Sequence, residues 1–172
     1  PLRLVGSEMC IRDRFWGSFR GIWAIELADD GLSLKPGAGK RKIAGDQYEG
    51  TYIHKRDGYY YLIVSTGDFM KDYHVVVGRS RSLMGPYVDR AGRDMLGVHH
   101  ELVVGNGNGF VAPGHNAEFV TDDKGQDWML YHTRLEVGGP RYLILDRIEW
   151  NDGWPEVRGH VPARSAEAPV FE

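Results

Sequence analysis

Two residues carry most of the chemistry on offer, Glu49 and His115. Glu49 opens the run Glu49-Gly50-Thr51-Tyr52-Ile53-His54-Lys55-Arg56, flanked by Tyr48 and Tyr52. A carboxylate delivered at the start of a strand, facing a channel, can protonate a leaving group as a general acid. His115 follows Pro113-Gly114, and a histidine there can ligate a metal, position a substrate hydroxyl or steer the acid. Taken singly, each has a plain alternative, an exposed glutamate at a strand start and a histidine satisfied by backbone at a turn. Weaker candidates surround them. His99-His100 are adjacent and, on an extended chain, point to opposite faces. His74 and His132 fall within strands and read as core residues. Trp16, Phe19, Trp23, Phe69 and Phe110 could serve as sugar-stacking platforms, although strand aromatics mostly fill cores. Asp122-Asp123 is a turn without the spaced acids of a calcium loop. No phosphate-binding glycine loop, serine nucleophile elbow or zinc ligand set occurs.

The elements that position these residues read as all-β. Tyr48–Arg56 and Tyr59–Thr66 are two strands joined by Asp57-Gly58, a strong hairpin signal. Ahead of them, Phe15–Phe19 and Gly21–Leu27 read as short strands and 33–47 as a loop. After them comes a third strand, Tyr73 to Ser80, then a turn at Met84-Gly85-Pro86, a short strand Tyr87-Val88-Asp89, and a long loop from Arg90 to Gly114. The hairpin recurs about 67 residues later, a spacing of the kind linked to repeat folds. Ile53 then meets Val120, Gly58 meets Gly125, Tyr61 meets Trp128 and Thr66 meets Thr133. Third strands also correspond, Val75–Ser80 with Leu143–Ile148, and each unit is expected to close on a Gly/Pro turn with a last strand at Tyr87-Val88 or at Trp154–Val157. Four-stranded meanders separated by long loops are the signature of propeller blades. The expectation is two full blades plus part of a third, with Glu49 and His115 at equivalent innermost-strand positions facing one axis. That equivalence raises the functional reading of the pair above either residue alone. Ser7–Arg14 resembles translated linker sequence, so residues 1–14 are set apart as a non-native or unstructured leader, 15–160 as the partial propeller and 161–172 as a tail.

Composition excludes several classes. The 172 residues are 42% hydrophobic and 12% aromatic, with 23 glycines suited to many tight turns, which is globular composition. A net charge of -3 with scattered Arg and Lys offers no basic face for nucleic acid. No apolar run reaches membrane-span length. One cysteine, Cys10, excludes an internal disulfide and a cysteine metal cage.

Trp16-Gly17-Ser18-Phe19, Glu49-Gly50-Thr51-Tyr52, Val77-Gly78-Arg79-Ser80, Gly85-Pro86-Tyr87, Pro113-Gly114-His115-Asn116 and Gly153-Trp154-Pro155, in this order, resemble glycoside hydrolase family 43, most of all its endo-α-1,5-L-arabinanases. The resemblance implies a five-bladed β-propeller that cleaves arabinan, or related hemicellulose or pectin side chains, with inversion. It implies Glu49 as general acid, Trp16, Ser18 and Arg141 as substrate contacts, and His115 as a ligand of a central calcium or sodium ion. It also implies a monomer and, as for most of the family, a secreted or periplasmic location. The family's general base lies in its first blade, and its pKa-tuning Asp lies in a motif just before the Trp-Gly-Ser-Phe strand. Here Cys10–Arg14 takes that place, and Asp13 lies too near Trp16 to inherit the role. The expectation is therefore a C-terminal portion of an enzyme, nearly inactive alone. The alternatives are a non-catalytic carbohydrate- or protein-binding propeller fragment, or an arabinofuranosidase or β-xylosidase of the same family.

Overall fold

The computed structural model describes residues 12–172, which form thirteen strands in four sheets. Strands β1 (Arg12–Trp16), β2 (Ile22–Leu27) and β3 (Arg41–Ala44) make the first sheet. The second is a meander of β4 (Glu49–Arg56), β5 (Tyr59–Thr66), β6 (His74–Ser80) and β7 (Glu101–Val104), hydrogen-bonded in that order. In the third, β8 (Val111–Gly114) and β9 (Phe119–Thr121) both pair with β10 (Asp127–Arg134), which pairs with β11 (Tyr142–Arg147). A separate hairpin joins β12 (Glu149–Asn151) and β13 (Trp154–Glu156).

The second sheet shows why the Tyr59–Thr66 run lacks a clean polar alternation. Side chains alternate faces along a strand, and here both faces are buried. Tyr61, Ile63, Val75 and Val77 join Phe119, Met129, Tyr131, Ile148 and Trp154 in one core. Their neighbours Leu62, Val64 and Val76 join Ile22, Ala24, Ile43, Tyr48, Tyr87 and Met95 in another. The meander is thus packed between the first and third sheets. Asp57 and Gly58 close the β4–β5 hairpin with φ of 50° and 74°, the left-handed pair that a tight hairpin turn requires.

Several boundaries differ from the sequence expectation. β3 lies within 33–47, the stretch expected as loop, and β7 lies within the long loop 90–114. Each is four residues long and flanked by turn-forming residues, so neither presents a period. β7, rather than Tyr87-Val88, completes the meander; Val88 makes only isolated bridges to Arg79 and Asp94. In the second unit, Trp154–Glu156 pairs with β12 instead of extending the β11 sheet. β1 begins at Arg12, within the stretch set apart as leader; residues 1–11 lie outside the described residues. The tail folds back onto the β9–β10 turn, where the Asp123 amide donates to the Val170 carbonyl at 3.0 Å.

The face of the third sheet that carries His132 is apolar and open. Leu130 and Leu145 sit opposite each other in register, 38% and 40% exposed, beside Leu143 at 74%.

Candidate active site

Glu49 stands at a seam between the first two sheets. Ser18 bridges to it antiparallel, and the next amide, Phe19, donates to the Tyr48 carbonyl at 2.9 Å. The carboxylate is then held from both sides. Ser18 Oγ donates to Oε2 at 2.9 Å and Tyr73 Oη donates to Oε1 at 2.5 Å. Hydrogen bonds to an ionised acceptor are short and strong, so two hydroxyls from separate elements fix this carboxylate's orientation.

Tyr73 is a dependable donor because it cannot easily lose its proton. Burial first, and then the bond to Glu49, push its phenol well above the usual range. Its ring lies parallel to His132, with centroids 5.8 Å apart and an interplanar angle of 9°. Gly114 supplies the floor beneath that ring: a Cβ there would stand 2.1 Å from Tyr73 Cδ1. The contact therefore requires glycine.

His115 follows immediately, at a φ of 51°. Its amide donates to Ser65 Oγ at 2.8 Å, and Ser65 is the residue opposite Glu49 in the β4–β5 register. Its imidazole lies beside Gly50, where a Cβ would meet Nδ1 at 3.4 Å. Glu49-Gly50 and Gly114-His115 therefore meet, although His115 lies between β8 and β9 and not at the strand position the repeat implied. His132 completes the group. Burial, followed by the positive charges of Arg141, His115 and Arg134, pushes its imidazole down to about 4, and its buried Nδ1 has no hydrogen-bond partner. Neutral at working pH, it offers Tyr73 an uncharged stacking face.

These residues border a cavity of about 520 Å³, with Glu49 at its wall together with Ser18, Tyr73, His115, His132 and Arg141. Phe19 and Phe69, 45% and 46% exposed, stand at the same cavity. Mostly apolar walls with a few convergent polar groups describe a small-molecule site. Glu49 is the one carboxylate among the described residues that line it.

Of the residues singled out in the sequence, Glu49, Ser18, His115 and Arg141 come together. Trp16 is not among the lining residues; it pairs with Trp23 across β1–β2, with the Arg14 guanidinium 5.9 Å from its ring centroid. Asp13 also sits in β1, opposite Glu26. Both its carboxylate oxygens are buried without a hydrogen-bond partner, and burial first, then Glu26, raises its pKa. Tyr73 was not anticipated, and His132 was taken for core. The repeat held a signal for His132: aligning Thr66 with Thr133 places His132 on Ser65, whose hydroxyl meets His115.

Calcium takes about six to eight oxygen ligands. Among the described residues no group of three or more His, Cys, Asp or Glu is placed to hold a metal ion. Among the described residues His115, at the cavity wall, offers one ring nitrogen to such an ion.

The all-β scaffold thus holds one carboxylate among aromatics at an open cavity. The sequence pattern of glycosyl hydrolases family 43 matches residues 6–155, and the chain belongs to that family. It is 32% identical over 167 residues to an extracellular endo-α-(1→5)-L-arabinanase of Thermotoga petrophila, covering 79% of this chain and 36% of the relative. It is 33% identical over 117 residues to an extracellular exo-α-(1→5)-L-arabinofuranosidase of Cellvibrio japonicus, covering 64% of this chain and 33% of the relative. The fold matches an α-L-arabinanase of Cellvibrio cellulosa complexed with arabinohexaose, at a TM-score of 0.79 and 28% identity over 89% of this chain and 55% of that one. The chain thus spans about a third of these sequence relatives and about half of the structural one.

Proposed function

We propose that Glu49 is the general acid of an inverting glycosidase acting on α-1,5-linked arabinan. The observation that carries this reading is the double clamp on Glu49, by Ser18 and Tyr73, at the wall of the cavity. The protonated carboxyl delivers its proton to the glycosidic oxygen as the bond to the anomeric carbon breaks. The carboxylate left behind then accepts both hydroxyls without moving. Arabinan is favoured as substrate because the relatives are arabinanases and an arabinofuranosidase by name, one of them complexed with arabinohexaose. Those relatives named as extracellular support action outside the cell.

Inversion needs a second carboxylate, about 6.5–9.5 Å from the first, to activate water. No other described carboxylate lines the cavity, so on this reading the general base and the pKa-tuning Asp come from outside the described residues. On this reading the sheets are blades of a five-bladed propeller, and a further blade meets the third sheet beside Leu145, leaving Leu130 and Leu143 on the cavity wall they line. The chain alone then turns substrate over very slowly. His115 is the residue of this chain that would hold a calcium or sodium ion at the cavity.

The lone carboxylate also favours a second reading, a non-catalytic module that binds carbohydrate through the same cavity. One experiment separates the two. The protein, lengthened at its N-terminus to the span of its relatives, is incubated with debranched arabinan and with xylan, and released reducing ends are counted. Release from arabinan supports the proposal, release from xylan alone redirects it to a xylosidase, and binding without release from either establishes the module.

A further inference from the structure

Two loops meet at one lip of the cavity, 67–73 between β5 and β6 and 135–141 between β10 and β11. They are the corresponding loops of the two repeats, and Arg134 joins them. That side chain, on a residue 7% exposed, donates from Nε to the Phe69 carbonyl at 3.2 Å and from Nη1 to the Gly139 carbonyl, while Nη2 lies 3.5 Å from Met70 Sδ. The Gly138 amide adds a bond to the Met70 carbonyl at 3.0 Å. A guanidinium withdrawn from water is costly to keep unless its donors are used. Here they hold two loops together as one rim.

What the rim presents is Phe69. Its ring is half exposed at the cavity, a poor use of an aromatic that could be buried, and its backbone carbonyl is the one Arg134 holds. The Arg141 guanidinium lies 5.7 Å from the Phe69 ring centroid, within cation–π range. An aromatic face is electron-rich, and the C–H face of a sugar ring is its complement. A guanidinium beside it has fork-shaped donors for the ring hydroxyls.

We propose that Phe69, set by the Arg134 tie between the two loops, is the stacking platform of a sugar-binding subsite beside Glu49, for one pentose ring of a neutral oligosaccharide. Arg141 pairs with that ring's hydroxyls. The inference rests on the glycosidase reading above and names a subsite within it. Arg134 is a positioning residue: it reaches the sugar only through the loops it ties.

The test is calorimetric titration of the 172-residue chain with linear α-1,5-arabinohexaose and, separately, with xylohexaose. Phe69→Ala is expected to weaken binding by about tenfold, and Phe69→Trp, which keeps a stacking face, to stay within about threefold. Arg134→Met is expected to weaken binding with Phe69 still in place, and Phe69→Trp should not rescue it. Phe69 is half exposed, so its variants should keep the wild-type far-ultraviolet circular dichroism and melting temperature. Equal affinity of Phe69→Ala and wild type for arabinohexaose overturns the platform and leaves the hydrolase proposal standing. Phe69-dependent binding of xylohexaose alone supports the platform and overturns arabinan as the substrate. Binding of neither sugar at millimolar concentration overturns the platform, while hydrolysis by the lengthened protein still decides the broader proposal.

Discussion

The phenol of Tyr73 donates to Oε1 of Glu49 at 2.5 Å, from a position 24 residues further along the chain. No motif joins the two in sequence. The contact exists because β6 begins where β4 begins, two strands away in the same sheet. Removing the hydroxyl while keeping the ring isolates this bond. In the lengthened protein Tyr73→Phe should lower kcat/KM on arabinan by about 10- to 100-fold, the value of one hydrogen bond to a charged group at ~1.5–3 kcal/mol. KM should change little if Glu49 is the acid, because the bond then orients its carboxyl and does not hold the sugar. Steady-state kinetics checks this, with far-ultraviolet circular dichroism showing that the fold is kept.

Gly114 sets where the Tyr73 ring can lie. Gly114→Ala places a methyl group 2.1 Å from Tyr73 Cδ1, so the ring must leave its stack on His132. The expected cost is about 1–3 kcal/mol of stability, typical of overpacking, together with loss of the Glu49 clamp. Gly39→Ala meets nothing within 4 Å and should be neutral, which makes it the control. Denaturant unfolding of both variants measures the difference.

A pH-dependent loss of stability is built in away from the cavity. Burial, then the neighbouring charges of His74 and His99, push His100 down to about 4, and its Nδ1 lies 2.8 Å from the Tyr48 hydroxyl. The folded pKa is below the unfolded value, so the unfolded chain takes up a proton before the native one does. The stabilising contribution is therefore complete above about pH 6.5 and declines as pH falls toward 4. The group is only half-buried, and with allowance for solvent screening the loss is about 1–2 kcal/mol. Chemical denaturation at pH 7 and pH 5 should show that loss in the wild type and a smaller one in His100→Gln.

Much of this site was legible in the sequence, for a physical reason. A tight turn and a two-residue period mark a hairpin wherever it occurs, so the Glu49–Thr66 hairpin and its echo at 115–133 were visible. Their superposition was enough to bring Glu49 and His115 together. β3 and β7 were not legible, because four residues between turns show no period and their pairing is decided by the neighbouring strand. For the same reason Tyr87-Val88 was given the place that belongs to Glu101–Val104. His132 looked like core because a single histidine in an apolar strand usually is; only the partner across the sheet, Gly114, shows which face it occupies. Trp16 carried a motif, yet it is not among the described residues that line the cavity.

The central claim is that Glu49 gives a proton to the leaving oxygen, and leaving-group dependence tests it most directly. In the lengthened protein, Glu49→Ala and wild type are compared on linear arabinan and on a dinitrophenyl arabinofuranoside, whose leaving group needs no protonation. The expected loss in kcat is about 10²–10⁴-fold on arabinan and less than about tenfold on the activated glycoside. Equal losses on the two substrates, or full activity of Glu49→Ala on arabinan, would contradict the assignment of Glu49 as the acid.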